Sequence, residues 1–265
     1  MTMRPVILFL LVACGGHPAA PQAPPPDDLV SVITIPGRAT PEGMDWGDKG
    51  KLPAKQLQFK NLQLLGDVTG DRLMAAMQSM KASLGQSCKL CHGPPDWASD
   101  AKPAKKRARQ MIEMANAINA KFFKGVPRVT CLTCHRGATP PPKVIEPTPD
   151  QFRKPKNPPP ALAAADEQKP AGEVYKNIQS FKQMPAKQLL FVMGLFTADL
   201  GVECEHCHVD GDWAADTKPP KQRAREMMEL VGFVAKTYFP DKQQTPVGCL
   251  FCHRGKVKPP HERVE

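Results

Sequence analysis

The chain has 265 residues, 36 Lys and Arg against 26 Asp and Glu, a formal charge of +10, 41% hydrophobic residues and 30 prolines. That length suits one or two domains, and a proline share about twice the usual ~5% assigns part of it to linker. The longest apolar run, Val6 to Ala13, has eight residues where a spanning helix takes about 20, so a membrane-spanning protein is excluded; the basic balance alone raises a nucleic-acid or anionic-surface partner.

In chain order, Arg4 and the apolar run lead to Leu11-Val12-Ala13-Cys14. This is the layout of a secretory signal over residues 1–13 ending in a lipoprotein cleavage box, with Cys14 as the lipidated first residue of the mature chain; the plain alternative is a chance cysteine. Residues 14–50 then read as a lipid-anchored tether, stiffened by the proline-rich stretch 18–26. A short strand is expected over 59–65 from its alternation. A helix is expected over 70–84, with Leu73, Met77, Met80 and Leu84 on one face and Gly85 as its stop. A second helix follows Pro103, which suits a first helical turn, and carries Met111 on its apolar side. Proline crowds the chain from Thr139 to about Pro170, which sets a linker at 144–170 between units at 51–143 and 171–265.

The cysteines carry the chemistry. Eight of nine fall into C-x-x-C pairs followed directly by histidine: Cys88/Cys91/His92, Cys131/Cys134/His135, Cys204/Cys207/His208 and Cys249/Cys252/His253. This is the pattern of c-type haem attachment: two thiols on one helical turn add across the porphyrin vinyl groups, and the next residue presents its imidazole to the iron. Structural zinc, a redox dithiol or disulfides each leave the histidines unexplained. Histidine is 7 of 265 residues, so composition alone gives four such matches roughly once in two million. Four covalently bound haems c are expected. Their attachment takes place on the exported side of the membrane, in agreement with the leader.

Sliding the sequence against itself by 116 residues superposes Phe59-Lys60-Asn61-Leu62-Gln63 on Tyr175-Lys176-Asn177-Ile178-Gln179, Leu84-Gly85 on Leu200-Gly201, and Asp96-Trp97-Ala98 on Asp212-Trp213-Ala214. Arg107-Ala108-Arg109 falls on Arg223-Ala224-Arg225 and, after a two-residue insertion, Cys131–Gly137 on Cys249–Gly255. The expected fold is therefore mainly α, a multihaem cytochrome of two pseudo-symmetric dihaem halves with a few short strands. In the second half Pro185 opens a helix carrying Leu189, Met193, Phe196 and Leu200, and Pro219 opens one carrying Met227.

The group opposite each histidine decides between electron transfer and catalysis. Met77 pairs with Met193 and Met111 with Met227 across the duplication, while Met74, Met80 and Met114 face Leu190, Phe196 and Leu230. Methionine on an amphipathic helix is ordinarily core filler, yet four matched methionines for four haems point to His/Met coordination. Six-coordinate irons of this kind have relatively high potentials, because thioether sulfur favours the ferrous state.

Those segments together, from Phe59–Gln63 through Met77, Leu84-Gly85, Cys88–His92, Ala108–Met111 and Cys131–Gly137 with their second-half counterparts, resemble the tetrahaem cytochrome c subunit of the photosynthetic reaction centre. The similarity covers roughly residues 51–143 and 171–258. It implies a lipid-anchored periplasmic electron carrier that re-reduces the photo-oxidised bacteriochlorophyll pair, is reduced by a small soluble carrier, and ligates its first three haems through Met77, Met111 and Met193. Members of that family often give the fourth haem a second histidine near the place of Gly125; here no histidine lies between Gly93 and Cys134, so Met227 is the expected ligand. The loops are short and the connector rich in proline, which keeps a respiratory carrier of the same fold as the alternative.

Without Arg4, and with the eight propionates of four haems, the charge falls from +10 to about +1 in the reduced state, so no nucleic-acid partner is expected. The run Lys105-Lys106-Arg107-Ala108-Arg109 is expected to be a solvated or propionate-paired helix face, with Arg107, Arg109, Arg223 and Arg225 as propionate-binding candidates. Trp97 and Trp213 are expected to pack on haem edges. His206 reads as exposed or supporting rather than as a distal ligand, and His17 and His261 as tether and tail residues. The leading function is a non-enzymatic carrier of single electrons to a membrane-bound acceptor, either reaction-centre core subunits or a respiratory complex. A multihaem reductase or peroxidase needs a five-coordinate iron, and a haem-storing or redox-sensing lipoprotein needs midpoints that match no donor or acceptor.

Overall fold

The computed structural model of the protein describes residues 51–57, 59–241 and 247–260. The leader, Cys14, His17 and the tether, like His261, lie outside the described residues.

Helix α1 spans Gly70–Leu84, the range expected from its periodicity. Thr69 precedes it with extended backbone, and Gly85 ends it at φ +62°, a left-handed conformation that glycine adopts without strain. The face it buries is Leu73, Ala76, Ser79 and Ser83; Leu73 and Ala76 join Ala54, Leu65, Val68 and Ile112 in a small apolar cluster. Met77 and Met80 lie at the margin of that cluster, half-buried. A 3-10 turn over Cys88–Leu90 follows, then α2 over Pro103–Phe123 and the short α3 over Cys131–His135. Pro103 sits in the first turn of α2, where its missing N–H has no intrahelical acceptor to lose.

Beyond the connector come α4 (Ala171–Val174), α5 (Ala186–Leu200), a 3-10 turn over Cys204–His206, α6 (Pro219–Tyr238) and α7 (Cys249–His253). The architecture is mainly helical. The strand expected over 59–65 does not form, because Asn61 takes φ +61° and its side-chain amide donates to Ala98 O at 2.6 Å and to Asp100 at 2.9 Å. The segment is thereby bound to a distant loop instead of a β ladder. β pairing among the described residues is confined to isolated bridges at Pro53–Thr69, Gly93–Asp96, Pro170–Pro185 and Val209–Asp212.

Two close approaches organise the packing. A Cβ on Gly85 would stand 1.8 Å from Gly137 O, and one on Gly201 2.1 Å from Gly255 O. These glycines let the end of α1 rest on the end of α3, and the end of α5 on that of α7. Backbone bonds seal both junctions: Gly137 N to Ser83 O at 2.7 Å and Gly255 N to Asp199 O at 2.8 Å. The long helices α2 and α6 pack together, with the Phe122 and Phe233 rings 5.8 Å apart and Lys121 Nζ 4.6 Å from the Phe233 centroid. Within the connector, Phe152 packs against Phe191 at 5.3 Å and against Gly194, where a Cβ would meet its ring at 2.3 Å. Arg153 N bonds Thr197 Oγ1 at 2.9 Å, so this part of the connector lies along α5. Among the described residues, no helix is long and apolar enough to cross a membrane.

Candidate haem sites

The Cys-x-x-Cys-His motifs take two backbone forms. Those at 88–92 and 204–208 begin with 3-10 turns closed by Cys91 N to Cys88 O at 3.2 Å and Cys207 N to Cys204 O at 3.3 Å, and the same carbonyls also accept His92 N and His208 N, both at 3.0 Å. Each histidine then bonds through Nδ1 to a carbonyl five residues on: His92 to Trp97 O at 2.8 Å and His208 to Trp213 O at 3.1 Å. The indoles lie beside the imidazoles, with centroids 5.5 Å apart in both pairs.

The other two motifs are the short helices α3 and α7. Their histidines bond three residues on, His135 Nδ1 to Ala138 O at 3.1 Å and His253 Nδ1 to Lys256 O at 3.0 Å. Both helices end in a left-handed arginine, Arg136 at φ +51° and Arg254 at φ +53°. In all four motifs Nδ1 is engaged by a backbone carbonyl, which fixes the ring and leaves Nε2 as the nitrogen available to iron.

The thiols are unpaired: none of the eight is in a disulfide. Among the described residues no three His, Cys, Asp or Glu side chains converge as a zinc site requires. Burial pushes the Cys131 thiol up to about 11 and that of Cys249 up to about 12, so both are neutral at ordinary pH. Cys134 and Cys252, from α3 and α7, hydrogen-bond to each other, which brings the second motif of each half side by side. At the first motif Cys91 is raised by burial and opposed by Lys102 and Lys105, and at the third Cys207 is raised by burial and opposed by Lys218 and Lys221.

A cleft between α1 and the first motif is lined by Met77, Met80 and Leu84 on one side and by Cys88, Cys91 and His92 on the other. This brings Met77 and His92 to one cavity, and Met80, which has no methionine partner across the duplication, lines it too. Met111, Met193 and Met227 are half-buried on α2, α5 and α6. Among the described residues, the buried polar atoms Tyr175 Oη and Asp199 Oδ1 have no hydrogen-bond partner.

The basic run does not lie wholly on a solvated face. Lys105 turns inward, its side chain 12% exposed, and donates to Trp97 O and Ala98 O at 2.9 Å and to Ser99 O at 3.1 Å. Arg109 holds Asp100 with both guanidinium nitrogens, at 2.9 and 3.0 Å, and with Asn61 keeps that carboxyl below its ordinary range. The second half repeats the arrangement. Lys221 donates to Trp213 O at 3.0 Å and Ala215 O at 2.8 Å, and Arg225 pairs with Asp216 at 2.9 Å and holds its carboxyl well below the usual value. Arg223 pairs with Glu226, Arg107 is exposed, and His206 is exposed within its turn. Asp100 and Lys102, with Asp216, Lys218 and Lys221, are not singled out by the sequence reading, which takes Lys105 only as part of the basic run; yet they carry a signal there, since Asp100/Asp216, Lys102/Lys218 and Lys105/Lys221 each recur at the 116-residue offset.

Thiols outside any disulfide and separated by two residues, an imidazole held by Nδ1 with Nε2 open, and an apolar cleft with a thioether on its far wall suit covalent haem. They define a c-type cytochrome. The chain belongs to the family of photosynthetic reaction centre cytochrome C subunits, whose profile matches residues 25–151 and again 144–263. It is 35% identical over 107 residues to the photosynthetic reaction center cytochrome c subunit of Thermochromatium tepidum, covering 39% of this chain and 26% of that one. It is 33% identical over 84 residues to cytochrome c-554 of Chloroflexus aurantiacus, 29% of this chain and 20% of that one. With the Rubrivivax gelatinosus reaction center cytochrome c subunit the identity is 28% over 275 residues, covering 85% of this chain and 73% of the relative. The chain thus spans about a quarter or less of the first two relatives.

Proposed function

We propose that the chain is a tetrahaem carrier of single electrons, built as two pseudo-symmetric dihaem halves at 51–143 and 171–265 joined by the connector 144–170. The observation that carries this reading is the repeated anchoring of His92, His135, His208 and His253 by Nδ1, each beside its own thiol pair. Cys88/Cys91, Cys131/Cys134, Cys204/Cys207 and Cys249/Cys252 would hold the haems covalently, and His92, His135, His208 and His253 would each ligate an iron. Met77, Met111, Met193 and Met227 would supply the second ligand of each iron; the cleft shared by Met77 and His92 supports the first of these assignments.

Bound haem supplies one-electron chemistry at iron, cycling between ferrous and ferric states. The protein's part is to hold the imidazoles rigid, to exclude water with its helices, and to set the local charge. Arg107, Arg109, Arg223 and Arg225 are the propionate-binding candidates; Arg107 is exposed, whereas Arg109 and Arg225 would reach a propionate only alongside Asp100 and Asp216, and Arg223 alongside Glu226. The buried Tyr175 hydroxyl, a donor without a partner among the described residues, suits a propionate carboxylate. The contact of α3 with α7, alongside the packing of α2 on α6, puts the second and fourth motifs within the junction of the halves.

In this reading Cys14 anchors the chain by lipid on the periplasmic side of a bacterial membrane. A small soluble carrier supplies electrons, and the reaction-centre core, with its photo-oxidised pigment pair, accepts them without bond-making chemistry in the chain itself. The test is a flash experiment on the reduced holoprotein mixed with reaction-centre membranes, following the haem α band. Haem oxidation in step with recovery of the bleached pigment is the expected result. Absence of oxidation, with active membranes and four attached haems confirmed by mass, would reject the photosynthetic acceptor and turn the assignment to a respiratory one.

A further inference from the structure

The carbonyl that orients the first histidine of each half is shared with a lysine. Trp97 O accepts from His92 Nδ1 at 2.8 Å and from Lys105 Nζ at 2.9 Å; Trp213 O accepts from His208 Nδ1 at 3.1 Å and from Lys221 Nζ at 3.0 Å. Both lysines belong to matched Lys-Pro-x-Lys segments, Lys102–Lys105 and Lys218–Lys221. The first lysine of each, Lys102 and Lys218, donates to a carbonyl inside the adjacent thiol pair, that of Lys89 and of Glu205.

This is an expensive place for a cation. Lys105 and Lys221 sit in the first turns of α2 and α6, which contain no acidic residue, although a helix N-terminus favours negative charge. Their side chains are only 12% and 11% exposed. Asp100, 3.7 Å from Lys105, is already engaged by Arg109, and Asp216, 3.4 Å from Lys221, by Arg225. Two cations share each carboxylate, so each Lys–Arg–Asp cluster carries one more positive than negative charge, while Asp96 and Asp212 of the same loops spend a carboxylate oxygen on backbone N–H groups.

The geometry points to Lys105 and Lys221 as positioning residues that raise the reduction potentials of the haems ligated by His92 and His208, acting through the shared carbonyl. An ammonium on the carbonyl oxygen draws off electron density and weakens it as an acceptor for the imidazole N–H. The imidazole then has less imidazolate character, donates less to iron, and stabilises the ferric state less. The charge of the poorly exposed ammonium acts in the same direction, because it opposes the extra charge of ferric iron. His135 and His253 bond to Ala138 O and Lys256 O instead, outside these clamps, so their haems serve as internal references.

The inference rests on haem attachment at these motifs, and the experiment separates the two. Haem number is read first, by mass and absorbance, on the full-length holoprotein; fewer than four haems in the unmutated protein would fault the tetrahaem reading itself. Redox titration is then compared for Lys105→Met, Lys221→Met and the exposed neighbour Lys106→Met. Lys105→Met is expected to lower one midpoint, Lys221→Met a different one, and Lys106→Met none, with Lys105→Arg restoring most of the loss. Unchanged midpoints in the first two variants, with four haems attached, would overturn the inference. Should Lys105→Met fail to mature, Lys105→Gln, which keeps a donor on the carbonyl and drops the charge, decides it: a downward shift supports the role and an unshifted midpoint ends it.

Discussion

The two halves reach the same arrangement around their second haem motif with different residues. In the first, Asn119, 2% exposed, accepts the N–H groups of Arg128 and Val129 at 2.9 Å and donates to Val129 O at 2.8 Å, fixing the approach to α3. Thr133 Oγ1 then accepts Thr130 N at 3.0 Å at the start of that helix. In the second, Ala235, Gly248 and Phe251 stand in those places, and Asp199, where the first half has Ser83, accepts the N–H of Leu250. What stays the same is the glycine contact between helix ends and the Nδ1 anchor of the histidine. The constant features set where the imidazole stands. The variable ones satisfy backbone groups that several kinds of side chain can satisfy.

The comparison is tested most severely at the glycines. Gly85→Ala places a methyl group on Gly137 backbone and forces alanine to φ +62°, so a loss of several kcal/mol is expected, with failure to mature as the extreme. Gly201→Ala should match it, because its Cβ meets Gly255 O at 2.1 Å. Gly211→Ala, also at positive φ but with no atom within 4 Å of its Cβ, reports backbone strain alone and should cost only about 1–2 kcal/mol. Thermal unfolding with haem content as a second readout checks all three; equal losses across the set would show that the helix-end contact is unimportant.

A smaller effect belongs to the first half alone. Asn119→Ala leaves two backbone N–H groups and one carbonyl without their partner in a buried place, for an expected loss of about 2–3 kcal/mol. Ala235→Asn, at the second-half counterpart, should not stabilise by a like amount. A loss below the scatter of chemical denaturation would mean that α3 is positioned by its glycine contact without help from Asn119.

Much of this was readable in advance, for reasons particular residues make plain. The thiol and histidine spacing is dictated by covalent chemistry, and α1 was delimited by a periodic face ending at Gly85. The starts of α2 and α6 followed from Pro103 and Pro219. The strand over 59–65 failed because alternation reports which side chains face the core but is blind to Asn61 turning left-handed to hold Ala98 and Asp100, 37 and 39 residues away. Phe152 lay in a proline-rich connector, and nothing local to it announces the gap at Gly194 that it fills. In the sequence Lys105 reads as part of a basic run that is solvated or paired with propionates. Its inward turn depends on carbonyls of a loop whose shape is set elsewhere.

The smallest effect is confined to the second half and depends on pH. Burial, with Glu146 nearby, raises the Asp199 carboxyl from 3.8 to about 6, while its bond from Leu250 N pulls the other way. A carboxyl with a raised folded-state value binds protons more readily in the fold than in the unfolded chain. Its contribution to stability is therefore greatest below about pH 4 and declines as pH rises through 6, where the folded protein must carry the buried charge. The full shift corresponds to about 3 kcal/mol; partial solvent access reduces the expected effect to about 1–2 kcal/mol. Asp199→Asn keeps an acceptor for Leu250 N and cannot ionise. It should stabilise the holoprotein at pH 8, leave it nearly unchanged at pH 4, and flatten the slope between, whereas Ser83→Asn in the first half should introduce no pH dependence. Parallel stability curves for Asp199→Asn and the parent from pH 4 to 8 would show that the carboxyl is ionised at no cost, and that the two halves differ in composition but not in their response to protons.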